Sequence, residues 1–169
     1  KYDYFWGHFL SDTDNALTDW KQGKTATNIN GAGHEVNKGF IFNGSNQYLN
    51  LNFNIRNDTV QMKNDAATFS VYIHTNNDTS VGIPIGGNDG DYYLDIFQVY
   101  NKRLGGHAVS VRTEQLTKNR SGGYLDKTRY SILRDQTLVQ LYEGTILDSN
   151  NTFSIRDLPN INPFVGARN

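Results

Sequence analysis

The sequence predicts one all-β domain, an antiparallel sandwich of two sheets, and three observations support that prediction. Short segments alternate apolar and polar residues, as strands do when one face is buried and the other is solvated. Turn-forming residues separate these segments, because the 169 residues include 21 Asn and 16 Gly against three Pro. No stretch of ten residues keeps a helical period. A chain of this length fits a single domain, 1–169, with a sizeable core.

The first 38 residues form a less regular lead-in to the domain. Within it, residues 16–21 predict a single helical turn, and either Asp12 or Asp14 can cap its N-terminus. The chain begins at Lys1 without an initiator Met, which predicts that it is a piece of a longer protein. The 169 residues contain no apolar run of membrane-spanning length and no signal-peptide pattern.

From residue 39 onward the pattern is that of short strands. Residues 48–53 are the clearest case, because Leu49, Leu51 and Phe53 alternate with two asparagines. The predicted strands are 40–42, 48–53, 69–73, 81–85, 92–100, 107–113, 124–133, 138–142, 145–147 and 164–167.

Two of the connections carry hairpin signals. Asn43-Gly44 lies between two apolar runs, and this dipeptide is the strongest short-range indication of a β-hairpin. A second hairpin is predicted over residues 138–149, where Glu143-Gly144 separates two β-type segments. By contrast, residues 54–65 are polar and predict a long connection.

Charge and cysteine content exclude several classes of function. The formal net charge is -1 with the two signs mixed along the chain, so nothing in it attracts nucleic acid or an anionic membrane. The chain has no Cys, which excludes disulfides and thiolate metal sites. We therefore expect neither nucleic acid nor membrane as a partner.

Motifs for catalysis and for phosphate binding are absent, so we expect no catalytic residue and no enzyme. The sequence lacks G-x-S-x-G, the phosphate-binding loop and paired histidines at metal-ligand spacing. An enzymatic alternative remains, because Asp91 and Asp95 are spaced to share a strand face and glycoside hydrolysis uses two carboxylates. In that alternative Arg112, His107 or Tyr72 would assist catalysis. In the simpler interpretation Asp91 is the last residue of a turn and Asp95 lies on the solvated face of a strand.

The loop at residues 86–91 has two interpretations. Asn88, Asp89 and Asp91 are oxygen-bearing residues at short spacing, which is the ligand type that Ca²⁺ prefers. The spacing does not match an EF-hand loop, and a turn needs the same Asn, Asp and Gly residues. We therefore assign no metal ligand, and Ca²⁺ stays as an alternative cofactor.

Aromatic residues are the other candidate ligand-binding groups. An aromatic ring covers the C–H face of a sugar, and the hydroxyl of Tyr adds a hydrogen bond. Most of the ten Tyr and nine Phe must build the core, but three Tyr fall on a polar register or a loop edge. The predicted ligand-binding residues are Tyr72, Asn88, Asp89, Asp91, Tyr92 and Tyr93.

Several segments resemble laminin-G-like domains of the concanavalin A-like class. Residues 39–51 resemble the F-x-G-x-x-x-Y opening of those domains, and residues 129–144, 158–159 and 164–169 resemble their later strands, which end in G-A-R-N. With the A-L-T-D-W segment at residues 16–20, the chain is most similar to the versions found in bacteriophage tail and fibre proteins and in bacterial proteins derived from them.

This resemblance covers residues 15–169 and implies a jelly-roll sandwich that recognises glycans or proteins without performing chemistry. It implies a virion, extracellular or cell-surface location, with a glycan or host receptor and other appendage subunits as partners in a homo-oligomer. Two alternatives stay open: an architectural virion domain without ligand, and a polysaccharide-degrading enzyme on the same fold. The chain departs from the family in two respects: the strand that usually follows G-A-R-N is missing, and the calcium-ligand Asp of animal laminin-G domains matches no residue here.

Overall fold

The computed structural model describes residues 3–7, 10–43, 45–74, 82–99, 103–118 and 127–166. It is mostly β, with antiparallel sheets, as the sequence predicts. The described helices are α1 (Thr13–Leu17) and α2 (Ile55–Asp58). The strands are β1 (Thr27–Ile29), β2 (Gly33–Glu35), β3 (Gly39–Ile41), β4 (Tyr48–Asn50), β5 (Ala66–Ile73), β6 (Gly82–Asn88), β7 (Tyr93–Val99), β8 (Arg103–Ser110), β9 (Leu116–Lys118), β10 (Thr128–Asp135), β11 (Leu138–Glu143), β12 (Ile146–Thr152) and β13 (Phe164–Val165).

The strands form two main sheets and a small one. The larger sheet has the order β1-β4-β13-β6-β7-β8-β9, and the smaller sheet has the order β12-β11-β10-β5. Strands β2 and β3 form a separate pair. Every described pairing of neighbouring strands is antiparallel.

The two main sheets pack against each other around one apolar core. On β10, Tyr130 and Ile132 are fully buried, whereas Arg129 before them is exposed and Ser131 between them is half-buried, which gives the period of two expected for a half-buried strand. Gly106 on β8 lies so close to β10 that a Cβ built there would stand 2.5 Å from Cδ1 of Ile132. The same Cβ would stand 2.8 Å from the backbone oxygen of Asp95 on β7, which cannot move aside as a side chain can, so this position requires glycine.

The lead-in is more regular than the sequence predicts. Helix α1 begins at Thr13, three residues before the predicted helical turn, and Asp12 caps it by accepting the backbone N–H of Asn15 at 2.8 Å. Strands β1 and β2 also lie within the first 38 residues. Helices α1 and α2 have five and four residues, so no helix among the described residues is long enough to span a membrane.

One predicted hairpin is confirmed and the other is wrong. Strands β11 and β12 pair across Gly144, whose φ of 61° suits glycine. Strands β3 and β4, however, do not pair with each other, because β3 joins β2 while β4 joins β1 and β13. The Oδ1 atom of Asn43 instead accepts the backbone N–H groups of residues 45–47, which closes a wider loop. Gly44 lies outside the described residues.

The predicted strands at the β6–β8 region shift by several residues. Strand β6 continues to Asn88, three residues into the predicted turn, and β8 ends at Ser110, so residues 111–113 are a turn instead of a strand. Val109 has a φ of 53° and lies in a β-bulge between β7 and β8. The predicted strand residues 81, 100, 124–126 and 167 lie outside the described residues.

Candidate ligand-binding rim

Four segments meet at one end of the two packed sheets, and we call this surface the rim. They are the β6–β7 turn (89–92), the loop after β8 (111–115), helix α2 with the loop that follows it (55–65), and the segment 153–161. Hydrogen bonds join them: the backbone N–H of Asn160 donates to Asp89 at 2.7 Å, and that of Leu158 donates to Asn64 at 3.0 Å.

The structure brings five of the six predicted ligand-binding residues together. Asn88 ends β6 and pairs with Tyr93, the first residue of β7, and the turn between them holds Asp89, Asp91 and Tyr92. Tyr72 is separate from this group, because it lies on β5 in the smaller sheet. Its side chain is 58% exposed on the outer surface of that sheet.

Asp89 holds the β6–β7 turn in place. Its Oδ1 atom accepts the backbone N–H of Asp91 at 3.1 Å and that of Tyr92 at 2.9 Å. Its Oδ2 atom accepts the N–H of Asn160 and lies 3.7 Å from Nη2 of Arg56. Both carboxylate oxygens therefore bind protein donors, and the turn is fastened to the segment that crosses the rim.

These hydrogen bonds set the protonation of Asp89 and bear on the calcium alternative. Burial raises the pKa of Asp89, but the N–H donors of Asn160, Tyr92 and Asp91, together with the charge of Arg56, lower it below the usual value. In the described part of the chain, no three His, Asp or Glu side chains form a group that could hold a metal ion. The described contacts of Asp89 are those of a turn-forming residue.

We predict that Asp89 makes the domain sensitive to acid. Because the folded pKa is depressed, the stabilisation is complete above the unfolded pKa of about 4 and is lost as the pH falls through the folded value. Asp89→Asn should lower the melting temperature at pH 7 and flatten its decline between about pH 5 and pH 3. Thermal unfolding monitored by circular dichroism across that range measures both effects.

Asp91→Asn is the control for this prediction, because the Asp91 residue is exposed in the same turn. Its melting curve should follow that of the unmodified chain at each pH. Identical acid profiles for Asp89→Asn and the unmodified chain would show that the Asp89 hydrogen bonds do not stabilise the fold.

Tyr92 packs under Arg56, and a second arginine of the rim, Arg156, is paired with Glu114. The guanidinium carbon of Arg56 stands 6.0 Å from the centre of the Tyr92 ring, and its Nε–H donates to the carbonyl oxygen of Leu158 at 2.6 Å. Arg156 forms two bonds to Glu114, at 2.8 and 3.3 Å. Its hydrogen bond with Glu114 raises the pKa of Arg156, and Tyr92 is near enough to add to that effect.

An open cleft of about 480 Å³ lies beside Arg56 on the rim. It runs between the loop that follows α2 and the segment 155–158, and its surface is both polar and apolar. Ile155 contributes an exposed apolar side chain, 49% accessible, on one wall. The lining residues are Arg56, Thr59, Met62, Lys63, Asn64, Asp65, Ile155 and Leu158.

The residues of the enzymatic alternative do not form an open site. Asp95 and His107 are buried, 3% and 5% exposed, and the Nδ1 atom of His107 lies 2.8 Å from Oδ1 of Asp95. The Nε2 atom of His107 lies 3.3 Å from the carbonyl oxygen of Arg112, and the ring of Tyr93 packs against the imidazole. Asp91, the other predicted carboxylate, is exposed in the turn. The prediction of a solvated Asp95 is wrong, because the carboxylate binds His107 instead.

Sequence reasoning missed Arg56, Glu114, Arg156 and Asn160, which complete the rim. They come from three segments and share no local motif, so their proximity follows only from the fold. In the sequence, the signal for this surface is the pattern of aromatic and turn-forming residues at 88–93.

The fold defines the class of this molecule: a mostly β protein whose two main antiparallel sheets share one apolar core. No family model, no curated protein and no solved structure matches the chain. The arguments about function below therefore start from its own residues.

Proposed function

We propose that this chain is a non-enzymatic recognition domain that binds a glycan at the rim. One observation carries the proposal: the Tyr92 ring is half-buried at a fastened turn under the guanidinium of Arg56, and Arg56 itself lines an open cleft of about 480 Å³. Clefts of this size fit small ligands, and function resides in such a site and not in the scaffold.

The chemistry of the rim suits a sugar. An aromatic ring can cover the C–H face of a saccharide, while neighbouring amides, carboxylates and guanidinium groups hydrogen-bond its hydroxyls. The hydrogen bonds of Asp89 to the turn hold Tyr92 in place before a ligand arrives. Such preorganisation lowers the entropy that binding must overcome.

The position of Asp95 supports a domain without catalytic activity. Hydrolysis of a glycosidic bond uses two carboxyl groups that face one substrate, about 5–10 Å apart. Here Asp95 is buried against His107, whereas Asp91 is exposed at the turn. Neither carboxylate lines the cleft.

The biological setting follows from the sequence resemblance. We propose a concanavalin A-like jelly roll of the laminin-G-like kind, carried on a bacteriophage tail or fibre protein or on a bacterial surface protein. Two packed antiparallel sheets are compatible with that fold. The location would be the virion or the cell exterior, and the partner a glycan or a host receptor.

A glycan array tests the proposed function. The unmodified chain should bind one class of sugar, and Tyr92→Ala should weaken that binding about tenfold, which is about 1.4 kcal/mol. Tyr72→Ala removes an exposed tyrosine from the other sheet and should leave binding unchanged. A blank array, or equal binding by the Tyr92→Ala variant, would contradict the proposal. Arrays run with calcium and with chelator should agree.

An architectural function is the second candidate, because β12 exposes apolar side chains. Ile146 is 70% exposed and Leu147 is 42% exposed on this strand, the outermost of the four described strands of its sheet. An edge strand of this kind can pair with the same strand of a second copy. Light scattering should then report an oligomer that Ile146→Asp dissociates, and a monomer at every concentration would exclude this function.

A further inference from the structure

Two of the three described arginines of the rim face a carboxylate, while the third, Arg112, is exposed in the loop after β8. Arg56 lies 3.7 Å from Asp89, and Arg156 lies 2.8 Å from Glu114. Besides Arg56, the cleft is lined by Lys63 and Asp65, whose charges have opposite sign. Over the four segments of the rim, six Asp and Glu side chains outnumber four Lys and Arg side chains, so charge pairing within the described residues leaves no excess of positive charge.

Side-chain amides add neutral hydrogen-bonding groups to the same surface. The Oδ1 atom of Asn160 accepts an amide N–H from Asn54 at 2.9 Å and one from Asn57 at 3.3 Å. Asn64, on the cleft, donates to Asp157 at 3.0 Å. Each of these amide nitrogens carries two N–H groups and uses one in the described contacts. The second N–H of each can donate to a ligand hydroxyl.

From this charge pairing we infer that the ligand of the rim is an electrically neutral saccharide, and not a uronic, sialic or sulfated one. The inference rests on the proposed function and names the class of sugar that the site takes. Hydroxyl groups both donate and accept hydrogen bonds, so they can bind amides, carboxylates and guanidinium groups alike.

An acidic sugar would meet unfavourable groups at this surface. At Arg56 its carboxylate would have to compete with Asp89, and at Arg156 with Glu114, on a surface where acidic side chains outnumber basic ones. Displacing Asp89 would also break the hydrogen bonds that hold the turn. Like charges brought together in this way lower affinity and so supply specificity against acidic ligands.

A matched pair of ligands tests the inference. Oligogalactose and oligogalacturonate share ring stereochemistry and differ in the charge of the C6 group. Oligoglucose and oligoglucuronate form the corresponding pair in the glucose series. The full chain should bind the neutral member of a pair at least about tenfold more tightly. Its affinity should change less than about twofold between 50 and 500 mM NaCl, because no net ion pair forms.

Glu114→Gln makes the test specific to the charge pairing. The substitution removes the carboxylate from Arg156 and should raise the affinity for the acidic member relative to the neutral one at least about threefold. Glu35→Gln is the matched control, because Glu35 lies on β2, outside the rim, and forms an exposed ion pair with Lys38. Its ratio of acidic to neutral affinity should equal that of the unmodified chain.

The outcomes separate this inference from the proposed function. Binding to the acidic member of the pair, or affinity that falls tenfold with salt, would overturn the inference and leave the glycan-binding function in place. An unchanged ratio in Glu114→Gln would also overturn it. If no sugar of either class binds, the proposed function fails and the inference fails with it.

Discussion

Replacing Arg134 by Ala should destabilise the domain by about 3 kcal/mol or more, because this arginine ties the two sheets together from inside. The residue is 2% exposed on β10. Its Nε–H donates to the carbonyl oxygen of Ala108 on β8 at 2.6 Å, and Nη1 donates to those of Gln136 and Phe153 at 2.9 and 3.4 Å. The Ala variant would leave these oxygens without donors and open a void between the sheets.

The hydrogen bonds of Arg134 can be separated from its packing. Burial lowers the pKa of this guanidinium, while the charge of Glu114 acts in the opposite direction. Nη2 has no hydrogen-bond partner among the described residues, so the protein hydrogen-bonds only part of this buried guanidinium. Arg134→Met keeps most of the stem but no donor, and it should destabilise the domain by about 2 kcal/mol, less than Ala does.

Urea unfolding monitored by tryptophan fluorescence measures these free energies. Arg129→Ala is the control on the same strand, because the Arg129 residue is exposed and, among the described residues, its guanidinium donates a long hydrogen bond to the carbonyl oxygen of Gly144 at 3.5 Å. It should change the free energy of unfolding by less than about 0.5 kcal/mol. A Met variant as stable as the unmodified chain would contradict the prediction, since apolar residues can replace some buried charges without loss.

Local features of the fold could be predicted from the sequence, because neighbouring residues determine them. The β11–β12 hairpin follows from two β-type runs around Gly144, and the cap of α1 follows from Asp12. The same kind of signal misled at Asn43, where the flanking strands find other partners. A turn signal predicts that the chain reverses, but it does not state which strands will pair afterwards.

The order of the strands depends on contacts that no local pattern contains. Strand β13 inserts between β4 and β6, so residues near 164 pair with residues near 50 and 86. The rim has the same origin, since Arg56 and Arg156 stand 100 positions apart in the chain. The turn at Asp89 was visible in the sequence, whereas the residues that pack around it were not.

The Asp95–His107 pair distinguishes a structural from a catalytic use of the larger sheet. Strand β7 places Asp95 opposite His107 on β8, and Oδ1 of Asp95 also accepts the backbone N–H of His107 at 3.2 Å. Removing one member of a buried hydrogen-bonded pair of this kind typically costs about 3–5 kcal/mol. Asp95→Ala should therefore destabilise the domain by about 3 kcal/mol, with a comparable loss for His107→Ala.

A double-mutant cycle makes this prediction specific. If the two side chains act mainly through each other, the double variant should be much more stable than the sum of the two single losses implies. Asp91→Ala, in the exposed turn, should change stability by less than about 0.5 kcal/mol. Chemical unfolding of the four chains supplies the coupling energy.

The opposite result would revive the enzymatic alternative. Catalytic carboxylates are commonly held at a cost to the fold, so their removal leaves stability unchanged or raises it while activity disappears. An Asp95→Asn variant that is as stable as the unmodified chain, combined with release of reducing ends from a bacterial polysaccharide by the unmodified chain alone, would assign Asp95 to catalysis. We expect the reverse, because both members of the pair are buried and the Nε2 atom of His107 faces the carbonyl oxygen of Arg112 and not the open cleft.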